Sequence, residues 1–174
     1  MFYYNIELMS KTTKLSEIEL NEVKIEGDRV AYNNTPLIIE TSYLKAYYNP
    51  NYNSVLKVNH DKQLCELFEH IDKLINRKVK KQHFTLIKDY EKDGKVFKSC
   101  KIKLSNYSHF FDENGKESKI SISDIFIKHE TRMIISFSKI WERNNGYGIT
   151  AFLNQAQYGA EIEKENMKMF LFGK

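Results

Sequence analysis

Along most of this chain apolar and polar residues alternate with the two-residue period of strands, and one segment breaks that rhythm. There Leu64, Leu67, Phe68, Ile71, Leu74 and Ile75 recur at spacings of three and four, which places one apolar stripe along a helix. Asp61 stands where a side chain can cap the first turn. Lys73, Arg77, Lys78, Lys80 and Lys81 crowd the C-terminal end, where cations complement the helix dipole. A one-sided stripe predicts a helix packed along a sheet. Alternation predicts strands at Leu20 to Ile25, Val30 to Tyr32, Leu37 to Thr41 and Ser54 to Val58 before the helix. After it come Phe84 to Asp89, Val96 to Leu104, Ile120 to Ile127, Arg132 to Trp141 and Tyr147 to Tyr158. Gly27-Asp28, Asn33-Asn34, Asp93-Gly94 and Asn114-Gly115 supply turn signals, the last within a polar loop from Phe110 to Ser118. The phase slips near Asp124, which suggests a bulge in that strand. Tyr43 to Tyr52, with tyrosines set around Asn49-Pro50-Asn51, reads as a loop.

The last two strands form a hairpin about Asn144-Asn145-Gly146, because Asn-Gly supplies the positive φ angles that tight turns need. Trp141 and Tyr147 flank it and read as a packing pair across the hairpin. The fold class expected is mainly β with one central α-helix, a barrel or sandwich of short strands. Length and a scarcity of linker residues, two Pro and seven Gly in 174 positions, favour one domain over 1–158 and a C-terminal tail over 159–174. Met1 to Thr13 is an arm or an extra strand.

Composition removes several function classes. No apolar run approaches the ~20 residues that span a bilayer, and the start of the chain lacks a secretory signal pattern. A soluble, intracellular protein without membrane association is expected, placed in host cytoplasm or at a replication site if the source is viral. Cys65 and Cys100 have no metal-like spacing and sit in apolar patterns, as free thiols do. His60, His70, His83, His109 and His129 form no zinc pattern, and Asp112 to Glu117 lacks the spacing of a calcium loop. There is no G-x-S-x-G, Walker A or G-x-G-x-x-G, and Glu66 and Glu69 belong to the helix's polar face. Neither catalysis nor a metal or other cofactor is expected.

Charge carries the positive signal. The net charge of +4 is modest, but Lys73 to Lys103 holds eleven Lys/Arg against three acidic residues. If Val96, Cys100, Ile102 and Leu104 face a core, Phe97, Ser99, Lys101 and Lys103 line the other face. An aromatic ring among lysines suits a single nucleic-acid strand: bases stack on the ring and ammonium groups follow the phosphates. The candidate phosphate contacts are Lys78, Lys80, Lys81, Lys88, Lys95, Lys98, Lys101 and Lys103. Phe97 is the candidate stacking residue, with Trp141 and Arg143 secondary.

The phrases Leu37 to Leu44 (LIIETSYL), Asn59 to Asp61 (NHD), Phe68 to Asp72 (FEHID), Ile140-Trp141 and Gly146 to Gly148 (GYG) follow one another in a telling order. Over Pro36 to Tyr158 the chain resembles the single-stranded-DNA-binding proteins of large DNA viruses, which are similar to the phage T7-type protein. That resemblance implies an OB-fold-like β-barrel with extensions, a helix carried in a long inter-strand connection, and DNA across an aromatic, basic sheet face. It implies a non-enzymatic protein that coats and protects replication or recombination intermediates, with RNA as an open variant. It also implies a homo-oligomer, and a tail that recruits DNA polymerase or other replication proteins. Here the tail departs from the strongly acidic family pattern: Glu161, Glu163 and Glu165 alternate with Lys164 and Lys168, and Met167 to Phe172 offers hydrophobic docking instead. The alternative is a structural or adaptor protein, of a virion or replication complex, that works through protein contacts.

Overall fold

The computed structural model describes residues 12–49, 55–59, 61–79 and 83–162. The proposed arm up to Lys11, the candidates Lys80 and Lys81, and the tail from Glu163 lie outside them. The chain begins with strands β1 (Thr13–Lys14), β2 (Val23–Glu26), β3 (Arg29–Tyr32), β4 (Thr35–Pro36), β5 (Ile38–Glu40), β6 (Ala46–Asn49) and β7 (Val55–Asn59). Helix α1 (Lys62–Lys78) follows, then β8 (His83–Phe84), β9 (Ile87–Lys92) and β10 (Lys95–Phe111). Helix α2 (Ile122–Lys128), β11 (His129–Phe137), β12 (Trp141–Arg143), β13 (Gly146–Gly148) and β14 (Ala151–Glu161) complete it.

The main sheet runs β1-β5-β11-β14-β10-β7-β6, with β9 added to β10. It closes because β5 and β6 behave as one bent strand. Past β5, the Thr41 amide donates to the Met133 carbonyl at 2.9 Å, and Leu44 and Thr131 exchange amide–carbonyl bonds of 3.1 and 2.9 Å. The chain then turns into β6, which pairs with β7 on the other side of the ring. The result is a barrel of β5–β6, β7, β10, β14 and β11, with β10 and β14 parallel and the other neighbours antiparallel. That is an OB-fold-like barrel, as expected. Its inside is built by alternation: Ile39, Ala46, Leu56, Val58, Cys100, Ile102, Met133, Ile135 and Leu153 are buried. Each large apolar side chain removed from water stabilises by roughly 1.5–3 kcal/mol.

Helix α1 forms where periodicity puts it. The Asp61 carboxylate accepts from the Leu64 amide at 2.8 Å, and Leu64, Leu67, Phe68, Ile71 and Ile75 are buried while Leu74 is half-buried. The helix sits in the connection between β7 and β10, and the Phe68 ring meets Phe137 of β11 edge-on at 5.6 Å.

Four local expectations are overturned. Ile120 to Ile127 is not a strand: residues 122–128 are α2. The apparent bulge at Asp124 is a helical period, because Ile125 and Phe126 are buried three and four positions after Ile122. The Ser121 hydroxyl accepts from the Asp124 amide at 3.1 Å and donates to its carboxylate at 2.6 Å, an N-terminal cap that strand alternation obscures. The other end is capped by Lys45, whose ammonium donates to the Phe126 and Ile127 carbonyls at 2.7 Å each. Second, Ala46–Asn49 within the expected tyrosine loop is β6, and the part of that loop over 50–52 lies outside the described residues. Third, Leu20–Glu22 is a 3-10 turn that leads into β2. Fourth, β10 runs on through Phe111, into the expected polar loop.

Candidate nucleic-acid interface

Strand β10 carries both the core and the candidate site. Cys100, Ile102 and Leu104 face inward and are buried. Val96 has the same parity, but β10 there projects past the barrel, and Val96 is 67% exposed instead of joining the core. The outward row is Phe97, Ser99, Lys101 and Lys103, as alternation requires.

Register shows what stands beside that row. Phe97 pairs with Tyr90, and their rings stack at 5.6 Å and 29°. Ser99 lies between Asn59 of β7 and Lys88 of β9. Lys101 pairs with Lys57, which in turn pairs with Tyr47 of β6. Lys103 lies between Val55 and Phe152 of β14. Directly paired residues project to the same side of a sheet. One face therefore gathers Lys57, Lys88, Lys101 and Lys103 with Tyr47, Tyr90, Phe97 and Phe152.

The lysines of this face act on one another. Burial holds the Lys101 ammonium below its ordinary pKa, and repulsion from Lys88 and Lys57 pushes the same way against the attraction of Asp72. Burial raises the Tyr47 phenol, with a further rise from Tyr90 nearby. Across the Ser99–Asn59 pair, Ser99 Oγ and Asn59 Oδ1 are buried without a hydrogen-bond partner among the described residues. Together these features form a surface with cations close enough to repel one another and flat rings beside them.

The remaining candidates divide. Lys95 is exposed where β10 begins, next to the Asp93-Gly94 turn. Lys98 has the inward parity and pairs with Glu69 of α1, which raises its pKa and turns it away from the outward row. Lys78 ends α1 and donates to the Gly27 carbonyl in the β2–β3 turn. Trp141 and Arg143 lie on a separate small sheet, β12-β13-β8.

A buried carboxylate fixes the turn that leads from that small sheet into β9. Asp72 of α1 accepts from the Leu86 amide at 2.9 and 3.0 Å and from the Ile87 amide at 3.3 Å. The Leu86 carbonyl accepts from the Lys101 amide at 3.0 Å, so this turn bonds to the centre of the candidate face. Burial pushes Asp72 up to about 6 against the opposing pull of those amides and of Lys101. His83 Nε2 lies 3.3 Å from Asp72 Oδ1, out of line for a hydrogen bond, and burial lowers its pKa. Its ring stacks on Tyr147 at 5.2 Å, and the Tyr147 hydroxyl donates to the Val79 carbonyl at 2.7 Å.

Trp141 does not pair with Tyr147. Its partner across the hairpin is Gly148, and a Cβ there would stand 2.8 Å from Trp141 Cζ2. Nε1–H donates to Thr150 Oγ1 at 3.0 Å, Phe84 packs at 5.6 Å, and the Arg143 guanidinium lies 5.0 Å from the indole centre. The positive φ of this hairpin belongs to Gly146 alone, at 149°, not to the asparagines.

Comparison with solved structures places the fold. The C-terminally truncated single-stranded DNA-binding protein from bacteriophage Enc34 superposes at a TM-score of 0.50 and 14% identity, over 88% of this chain and 96% of that one. The two proteins share a fold. The longer form of the Enc34 protein gives 0.49 at 13% identity, over 86% of this chain and 96% of that one. The single-stranded DNA-binding protein gp2.5 of bacteriophage T7 gives 0.39 at 11%, over 80% and 97%. No family model and no curated protein matches the sequence. The resemblance read from the sequence phrases is thus met at the level of fold.

Sequence reasoning missed Lys57, Tyr90 and Phe152, and placed Tyr47 in a loop whose tyrosines could equally reach a nucleic-acid strand or buttress the loop. Lys57 was within reach, since it sits between two core-facing residues, Leu56 and Val58, in a strand already recognised. Tyr47 was hidden by reading β6 as a loop. Among the described residues no group of His, Cys, Asp and Glu is arranged to hold a metal ion, and no helix is long and apolar enough to cross a membrane.

Proposed function

We propose that this protein binds single-stranded DNA across the outer face of β6, β7, β10 and β9, without sequence preference, and coats and protects exposed strands during replication or recombination. The observation that carries the reading is the convergence of Lys57, Lys88 and Lys101 beside Tyr47, Tyr90 and Phe97. Phosphates relieve the repulsion among the ammonium groups, and unpaired bases have rings to stack on. An aromatic face reads no base edge, so the binding is tolerant of sequence. Nothing in it calls for chemistry on the strand, and the activity is binding alone.

Fluorescence anisotropy of a labelled single strand, titrated at several salt concentrations against duplex and RNA competitors, tests the reading. The expected result is tight binding that duplex does not displace. Changing Lys101 and Lys103 together to Ala weakens it and flattens the salt slope by about 1.4, at ~0.7 per phosphate contact on single strands. A folded double variant with wild-type affinity and slope would show that the strand binds elsewhere.

A further inference from the structure

The far half of β10 holds an aromatic residue that the face described above does not use. Leu104 pairs with Leu153 of β14, and the next pair is His109 with Gln155, so residues 105–108 bulge out of the ladder. Tyr107 stands on this bulge with 83% of its surface exposed. Exposed single aromatics are common and usually mean nothing. This one differs because its backbone is fixed. The Ser108 hydroxyl donates to the Leu153 carbonyl at 2.6 Å and accepts from the Ser105 amide at 3.0 Å. The Tyr107 amide in turn donates to Ser105 Oγ at 3.2 Å. Two serines thus staple the bulge in one shape, at a modest entropic cost to whatever binds there. Its place matters as well. Lys103, the last cation of the outward row, is four residues before Tyr107, and the His109 and Phe111 rings follow at 6.4 Å from each other.

We propose that Tyr107 is a second base-stacking platform, which the bulge holds clear of the barrel for nucleotides that run past Lys103 along the far half of β10. Bulges commonly re-aim a side chain beside a functional surface. A ring with no neighbour over it stacks on any base. The inference rests on the single-strand reading, and it adds a second contact region that only a longer strand can reach.

The test compares a strand of ~5 nucleotides with one of ~20, lengths near the lower end of and beyond the site sizes of OB folds. Tyr107→Ala should weaken binding of the long strand about five- to a hundredfold, the range expected for one lost stacking contact, and leave the short strand unchanged. Tyr107→Phe keeps the ring and should bind both as wild type does. A long strand carrying 5-iododeoxyuridine should photo-crosslink to the peptide that contains Tyr107. Equal binding of the long strand by wild type and Tyr107→Ala overturns the proposal, as does an equal loss for both lengths. Failure of the underlying reading has a different signature: neither length binds the wild-type protein at low salt.

Discussion

Replacing Asp72 with asparagine should make the protein more stable near neutral pH and remove a pH dependence that the wild type carries. In the folded protein this carboxyl titrates at about 6 against 3.8 for an ordinary aspartate, because burial penalises its charge more than the Leu86 and Ile87 amides and Lys101 favour it. The sign follows from proton binding. Between pH 4 and 6 the folded state holds this proton and the unfolded state releases it, so stability falls as pH rises through that window. The gap corresponds to about 3 kcal/mol at ~1.4 kcal/mol per tenfold change in proton affinity. Asp72→Asn removes the titration and keeps a carbonyl oxygen for the amides. The assay is urea unfolding of both proteins at pH 4, 5, 6 and 7. The difference in unfolding free energy should move by about 2.4 kcal/mol in the variant's favour from pH 4 to pH 7, the rest of the gap lying below pH 4. Lys101, Glu69 and His83 all act on or beside this carboxyl, and His83 is itself titratable. Repeating the comparison in a His83→Gln background separates its contribution. A pH-independent difference between the two proteins would refute the argument, since it would mean that folding does not raise the Asp72 pKa.

Two further substitutions probe what closes and extends the barrel. Lys45→Met keeps the apolar stem but removes the charged donor to the last carbonyls of α2, and should cost about 2–3 kcal/mol in chemical denaturation; a loss below ~0.5 kcal/mol would show that the cap is idle. Gly148→Ala drives a methyl group into the Trp141 ring and the Phe84 carbonyl, 2.8 and 3.0 Å away. It should destabilise by about 1–3 kcal/mol and shift the emission of the chain's single tryptophan to the red as the indole is pushed into water; unchanged emission would mean that the ring does not rest on Gly148.

What was legible in the sequence depended on whether one period ruled a segment. In α1 the apolar stripe, the Asp61 cap and the basic last turn agree, and the helix was readable with its start in place. In Ile120 to Ile127 two periods compete. The isoleucines at Ile120, Ile122, Ile125 and Ile127 satisfy much of an alternating pattern, and β-branched residues favour strands. The Ser121 cap and burial of Phe126 against the barrel decide for helix, and the second of these is a tertiary fact. The tyrosine stretch failed for a related reason. Asn49-Pro50 is a sound turn signal, but β6 runs up to Asn49, so Tyr47 and Tyr48 lie in a strand. Neighbours across strands were beyond reach without register, so Tyr90 beside Phe97 and Lys57 beside Lys101 emerged only from the pairing.

The same register explains why core and candidate site cannot vary independently. From Cys100 to Leu104 every second residue of β10 is a wall of the barrel, so a one-residue slip would bury Lys101 and Lys103 and expose Cys100 and Ile102. The buried side chains thus hold the cations in place. The Lys101 amide adds a direct link, because its partner is the carbonyl of Leu86, whose own amide is bound by Asp72. Shifting that carboxylate would move the turn that pairs with the central lysine of the face. Asp72 carries an unfavourable charge near neutral pH and yet fixes three elements, α1, the 85–87 turn and β10, in one arrangement. A protein optimised for stability alone would have an apolar residue there. Its presence is consistent with a face whose geometry matters more than the roughly 3 kcal/mol that the charge costs.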